Sequence, residues 1–295
     1  MSHTQTEALE IGTASPNLFK KILRFTKVEH TAFSLPLIFA GAWIGTRGLT
    51  PPPAVLLLVL AAAVGARIFG MSCNRIFDRR LDALNPRTTG RELPAGRLTL
   101  RTALAVAIGG LLAYLAACAA LGGWCLVLAP LPLVPLLGYS LLKRFTALCH
   151  FGIGLCLALA PLGAFVAAAG SPDFTPPAVF FALFVFCWLS GADIIYALMD
   201  LENDRLTGVH SLPARLGADG ALRVAGLLHA VALGCLTAVF FSTGGRGPAA
   251  LTLAISALAL AAMYLPALPI GARFFPVSTI AGMAGAMVPI LGHFP

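Results

Sequence analysis

Apolar residues in this chain run together instead of alternating with polar ones. Stretches such as 51–66 and 126–142 contain no charged residue. Each approaches the ~20 residues that carry a helix through ~30 Å of hydrocarbon. Nine such segments are predicted, at about 30–48, 51–73, 101–121, 124–142, 147–169, 177–199, 220–241, 249–270 and 276–293. The predicted fold is therefore all-α, a multi-pass transmembrane bundle of about nine helices. Ahead of it, Lys20, Lys21, Arg24 and Lys27 are interleaved with Leu18, Phe19, Ile22, Leu23 and Phe25. That spacing predicts a short basic amphipathic helix lying on the membrane surface, with a solvated charged tail as the alternative. The first ~15 residues are polar and lack the basic-then-apolar order of a cleavable signal. The expected organisation is an N-terminal tail and interfacial helix over 1–29, then one transmembrane domain over 30–295.

Composition agrees with the pattern. Of 295 residues, 58% are hydrophobic and 11% charged, and the mean hydropathy is +0.88. A soluble domain carries about 25% charged residues, so a water-soluble globule is excluded. The seven Cys form no C-x-x-C pair and the six His show no ligand spacing, which indicates neither a disulfide framework nor a zinc site.

Charge fixes an orientation. With the N-terminus in the cytoplasm, the tail and the even-to-odd loops with their membrane edges hold 17 of the 20 Lys/Arg. The opposite face holds only Arg47 and Arg246, and Arg67 lies inside the second span. That asymmetry satisfies the positive-inside rule. It also accounts for much of the net charge of +8 without any nucleic-acid partner.

The acidic residues are concentrated. Five of the seven Asp fall in two places. Asn74, Asp78 and Asp82 leave the second span, and Asp193, Asp200 and Asp204 leave the sixth. Residues four apart share a helix face. The spacing thus stacks Asn74, Asp78 and Asp82, and likewise Asp193, Ala197, Asp200 and Asp204. Like carboxylates one turn apart repel by a few tenths of a kcal/mol, and burial raises the cost. A divalent cation removes the repulsion. Oxygen donors without His or Cys favour Mg²⁺, which also shares its shell with substrate phosphates. Pairing with Arg75, Arg79, Arg80 and Arg205 is the ordinary alternative. Two clusters on one face, each reaching into its span, favour function. Both are followed by a related loop, Thr89–Leu98 and Thr207–Leu216, which with a one-residue gap read T-G-x-x-x-L-P-A-R-L. The even number of spans between them predicts a parallel internal repeat, about 30–146 and 147–270, with a site between the halves.

With N-x-x-x-D-x-x-x-D after the second span and D-x-x-Y-A-x-x-D-x-x-x-D at the sixth, the chain resembles the UbiA superfamily of intramembrane prenyltransferases. Lys27-Val28-Glu29-His30-Thr31, Asn85-Pro86-Arg87-Thr88 and His210-Ser211-Leu212-Pro213-Ala214-Arg215 look like its 4-hydroxybenzoate polyprenyltransferase branch, which has relatives in menaquinone synthesis. The resemblance implies an active site on the cytoplasmic side of a bacterial inner membrane. It implies two Mg²⁺ ions holding a polyprenyl diphosphate, carried here by Asn74, Asp78 and Asp82 with Asp200 and Asp204. It implies Mg²⁺-dependent transfer of the prenyl group to a 4-hydroxybenzoate-type acceptor in quinone biosynthesis, or to a dihydroxynaphthoate. Tyr139 and Lys143 match a family Y-x-x-x-K element. Lys143 could contact the diphosphate and Tyr139 could support a metal-binding carboxylate, although anchoring at the membrane face explains Lys143 equally well. Arg75 and Arg144 would add charge at the diphosphate, and Phe69, Phe77 or Tyr196 could stabilise a carbocation.

Arg67 and Asp193 are the deep polar residues, seven before Asn74 and Asp200 respectively. Either they pair with each other, or Arg67 holds the acceptor's carboxylate while Asp193 orients a neighbour. Arg24 and Glu29 are weaker candidates near the entrance. A secondary transporter is the non-enzyme alternative. A CDP-alcohol phosphotransferase is the other enzyme reading, but its D-G-x-x-A-R element is missing: Asp219-Gly220-Ala221-Leu222-Arg223 is one residue short.

Overall fold

The computed structural model describes residues 17–28 and 31–292. Among them there is helix and no strand, as a bilayer demands of backbone that must satisfy its own polar groups. The order is α1 (Leu18–Thr26), α2 (Thr31–Gly45), α3 (Pro53–Leu84), α4 (Leu100–Leu121), α5 (Gly123–Leu128), α6 (Pro130–Leu142) and α7 (Cys149–Ala169). It continues with α8 (Pro176–Ala197), α9 (Leu201–Thr207), α10 (Leu212–Ser242), α11 (Gly247–Ala262), α12 (Ile270–Ala272) and α13 (Ser278–Ile290). Seven segments are long and apolar enough to cross a membrane, and α2 and α11 are shorter apolar helices. The protein is an integral membrane helical bundle.

The molecule is inside out relative to a soluble one. Leu57, Leu112, Val134, Phe241 and Leu258 are exposed, while Arg75, Asp78 and Asp82 are buried. Helix α8 is the central post: Phe181, Phe184, Trp188, Ile194 and Ile195 on it are almost fully buried. It packs against α7 and α10, while α3 packs against α4. Close approach between helices depends on small residues, as expected where lipid supplies no hydrophobic drive. A Cβ on Gly65 would come within 2.6 Å of the Tyr114 backbone nitrogen, and one on Gly110 within 2.7 Å of Ile68.

Several predicted spans take a different form. The second is longer than 51–73. Its helix α3 runs for 32 residues, about 48 Å, so it carries the first acidic cluster beyond ~30 Å of hydrocarbon. The fourth is broken at Ala129 between α5 and α6, because Pro130 and Pro132 cannot supply the backbone donors a continuous helix needs. The seventh extends over Leu212–Ser242 but turns at Gly217, whose φ of 75° is left-handed backbone that glycine adopts without steric cost. In the ninth, Arg273–Val277 form a π-helical turn containing Pro276.

The sixth span needs the main correction. Its helix stops at Ala197, and Leu198–Asp200 form one 3₁₀ turn before α9 resumes. The second cluster is therefore not one uninterrupted helical face, and the predicted i, i+4, i+7, i+11 stack does not form as drawn. Asp200 sits at the break with φ −107° and ψ 3°, the sparsely occupied bridge region common in active sites.

At the N-terminus, α1 is capped by Asn17, whose side chain accepts from the Lys20 N–H. Phe25 and Thr26 are buried, whereas Leu18 and Phe19 remain exposed. Glu29 and His30 lie outside the described residues.

Candidate active site

The ends of α3, α6 and α8 and the segment 85–99 surround a cavity of about 1150 Å³. Its mouth is polar, with Asn74, Asp78, Asp82, Lys143, Asp200 and Asp204 in the wall. Its interior is largely apolar, lined by residues such as Ile38, Val59, Leu128, Leu157, Leu162 and Trp188. Arg67, Tyr139, His150 and Asp193 also line it. Sequence positions far apart thus meet in one enclosure that is charged at one end and oily at the other.

The three principal carboxylates are held by cations, though not those nearest in sequence. Lys143 Nζ donates to Asp78 Oδ2 at 2.6 Å, and the Asn74 amide donates to the same oxygen at 2.9 Å. Arg91 donates to Asp82 Oδ1 at 2.6 Å. Arg87 grips Asp200 with two nitrogens, at 2.9 and 2.5 Å, while the Asn85 amide donates to Asp200 Oδ1 at 2.8 Å. Burial of Arg87 works to lower its pKa, but hydrogen bonding to Asp200 and the neighbouring Tyr196 outweigh it and hold the guanidinium above its ordinary range. Arg87 also donates to the Tyr196 hydroxyl at 2.7 Å and lies over that ring. The ring stacks on Phe274 at 4.3 Å between centroids. The π-helical turn that carries Phe274 is thereby joined to the acidic site.

Not every site atom is satisfied. Asp78 Oδ1, Asp82 Oδ2 and the Arg75 Nε and Nη1 are buried without a hydrogen-bond partner. An unpaired buried polar group costs about 1–3 kcal/mol, so four in one wall mark a place built for something else. Among the described residues, no three His, Cys, Asp or Glu side chains converge closely enough to hold a metal by themselves.

The sequence-predicted residues divide cleanly. Arg24, Arg67, Asn74, Arg75, Asp78, Asp82, Tyr139, Lys143, Asp193, Tyr196, Asp200 and Asp204 all line the cavity. Arg144 does not; it donates to the Phe77 carbonyl at 2.6 Å, on the backbone of α3. Phe69 and Phe77 pack against the small core around Phe25 and Ile76. Asp193 is hydrogen-bonded to His150, with Nδ1 2.7 Å from Oδ2. Asn85, Arg87, Arg91 and His150 join the site through contacts between separate elements. Asn85-Pro86-Arg87 was visible as a motif, but nothing in the sequence announced that 85–99 would fold back over the second cluster. His150 had no signal at all.

The structure is thus a membrane helical bundle whose two acidic helix ends open onto one largely apolar cavity. The chain belongs to the UbiA prenyltransferase family, whose model matches residues 34–269. A 4-hydroxybenzoate octaprenyltransferase from Nitrosomonas europaea is 32% identical over 231 residues, 74% of each chain. The apo structure of a UbiA homologue from Aeropyrum pernix K1 superposes with a TM-score of 0.76 at 32% identity, covering 90% of this chain and 95% of that one. A UbiA homologue from Archaeoglobus fulgidus bound to GPP and Mg²⁺ shares the fold, with a TM-score of 0.67 at 21% identity, covering 92% and 99%. Family membership decides against the transporter and CDP-alcohol phosphotransferase readings.

Proposed function

We propose that this protein transfers a polyprenyl group from a polyprenyl diphosphate to an aromatic acceptor of the 4-hydroxybenzoate type, in quinone biosynthesis at a bacterial inner membrane with its N-terminus cytoplasmic. One observation carries the reading. Two clusters of carboxylates and cations meet at the mouth of an apolar cavity that also holds Arg67 and Asp193. A long prenyl diphosphate has that same division, a dianionic or trianionic head on a hydrocarbon tail. The similarity to a 4-hydroxybenzoate octaprenyltransferase supports the acceptor class.

The donor set suits Mg²⁺. It is oxygen-only, and Asp78 and Asp82 each present a buried oxygen with no protein partner one helical turn apart. The lack of a closed three-ligand cluster fits an ion that keeps waters and shares phosphate oxygens, as does the GPP and Mg²⁺ carried by the Archaeoglobus fulgidus homologue. Asn74, Asp78, Asp82, Asp200 and Asp204 would hold the ions, two by the pairing of the clusters. When bound, Mg²⁺ supplies Lewis-acid neutralisation of the leaving diphosphate.

The chain's own groups do the rest. Lys143, Arg75, Arg87 and Arg91 place positive charge where the leaving group gains negative charge, which lowers the barrier to breaking the allylic C–O bond. The apolar wall excludes water that would capture the resulting cation as a prenol. Arg67 is positioned to take an acceptor's carboxylate and fix the ring beside the prenyl carbon. The test is a product assay by mass spectrometry. Purified protein with Mg²⁺ is offered farnesyl, geranylgeranyl or octaprenyl diphosphate together with 4-hydroxybenzoate, a dihydroxynaphthoate or other phenols. Prenylated 4-hydroxybenzoate is expected. Product from the dihydroxynaphthoate alone moves the protein to the menaquinone branch, and no product from any pair overturns the reading.

A further inference from the structure

The cavity holds a second polar device that the diphosphate chemistry does not use. Asp193 lies seven residues before Asp200 on α8, about 10 Å further from the mouth by helical rise. Its side chain keeps 23% of its surface exposed, and it lines the cavity. One of its oxygens is 2.7 Å from His150 Nδ1, on a ring that is only 3% exposed. The other ring nitrogen, Nε2, lies 3.3 Å from the backbone N–H of Leu212. That N–H can only donate, so Nε2 accepts and the ring proton resides on Nδ1. His150 thus donates from Nδ1 to Asp193. Asp78, Asp82 and Asp200 are bound to Lys143, Arg91 and Arg87, and Asp204 belongs to the mouth. Asp193 is the deep carboxylate, partnered by the His150 ring and open to the cavity.

We infer that Asp193 accepts the proton that the aromatic acceptor loses on prenylation, and that His150 is the positioning residue that holds its carboxylate toward the cavity. The inference rests on the acceptor being an aromatic ring, as proposed above. The balance is as follows. The bond between the prenyl C1 and the diphosphate oxygen breaks, and its electron pair leaves on the diphosphate. A ring carbon forms the new bond to C1. The hydrogen on that ring carbon leaves as a proton to the Asp193 carboxylate, and the C–H electron pair restores the aromatic ring. Asp193 then returns the proton to water that enters as diphosphate departs. The hydrogen bond from His150 Nδ1 fixes Oδ2, while the Asp193 side chain stays 23% exposed on the cavity wall.

This role separates two events that the mouth alone would couple. Breaking the C–O bond needs no base, whereas forming the aromatic product does. The experiment measures both with farnesyl diphosphate, 4-hydroxybenzoate and Mg²⁺, or with whichever pair the product assay selects. In the Asp193→Asn protein, prenylated aromatic is expected to fall about 10²–10⁴-fold. Diphosphate release should continue, with the prenyl group recovered as prenol, and the KM for the diphosphate should stay within about twofold. A ring-deuterated acceptor should show a primary isotope effect in this variant and none in wild type. His150→Ala should shift the same prenol-to-product ratio by about tenfold, and His150→Asn, which keeps a donor near Nδ1, should restore it. Continued diphosphate release also shows that the variants are folded. Parallel loss of release and product, or product formation within about threefold of wild type, overturns the inference while leaving the prenyltransfer reading intact. A wild-type protein that releases no diphosphate from any prenyl donor overturns the prenyltransfer reading instead.

Discussion

The two acidic helix ends look alike in sequence and are built differently. At the first, α3 continues unbroken past Asn74, Asp78 and Asp82, and the Asp78 side chain is 1% exposed. At the second, the helix is interrupted, Asp200 occupies the 3₁₀ turn, and its side chain is 14% exposed. The loops that follow also diverge. Leu212–Leu216 open α10, whereas Leu93–Leu98 form successive turns in which the Arg97 and Leu98 N–H groups both donate to the Glu92 carbonyl. The residue that interrupts the match is Gly96, with φ 67°. One extra glycine in the left-handed region lets the first loop curl instead of starting a helix. Curled, that loop carries Arg91 to its own cluster, and the turn at Asn85 just before it carries Arg87 across to the other. A repeated motif can therefore divide labour, with one copy supplying a buried ledge on a continuous helix and the other a more accessible arm at a helix break.

The largest effect expected is loss of turnover on removing either arm. Asp78→Ala and Asp200→Ala should each reduce Mg²⁺-dependent prenyl transfer by about 10³-fold or more, read as product per unit time. The comparison sharpens in their stability. Asp78→Ala should lower the thermal inactivation temperature more, because the lost side chain is 1% exposed and leaves Lys143 and Asn74 without a buried acceptor, whereas Asp200 is 14% exposed and water can take its place. Equal stability would show that the two ends are equivalent after all.

Next comes the link between the arms. Arg87→Ala should cost about 10–100-fold in kcat/KM, and Arg87→Lys should recover little, because one ammonium cannot replace a guanidinium that grips Asp200 with two nitrogens and reaches Tyr196 as well. Full recovery by lysine would reduce the clasp to simple charge. The smallest effect concerns the loop itself. Gly96→Ala places a Cβ in the left-handed region at a cost of about 1–2 kcal/mol. It should lower the thermal inactivation temperature by a few degrees and raise the KM for the diphosphate modestly. No change in either would mean the curl is not what positions Arg91.

Sequence carried the membrane class, the bundle and the residues of both clusters, since long apolar runs and i, i+4 acids are local signals. It did not carry the break at Ala197, because no Pro or Gly marks it. The ion-pair partners were also hidden. Asp200 and Arg87 are 113 residues apart, and proximity in sequence favoured Arg75, Arg79 and Arg205 instead. Likewise, Asp193 was visible as an intramembrane charge, but its bond to His150 depends on how α7 packs beside α8. Local chemistry is written in spacing, and pairing between distant elements is written in packing.

The three occupied carboxylates have one more consequence. A divalent ion entering this site does not meet bare carboxylates; Lys143 and Arg91 already hold one oxygen each of Asp78 and Asp82, and Arg87 holds both of Asp200, so it competes with these cations for the same carboxylates. Any measured metal affinity is then a difference between two binding equilibria, and each 1.4 kcal/mol invested in the internal pairs weakens it tenfold. Substrate and metal arriving together escape that penalty, because the diphosphate offers the displaced cations a new anion. The internal pairs thus make the site respond to the combination more readily than to either component, as an AND gate does.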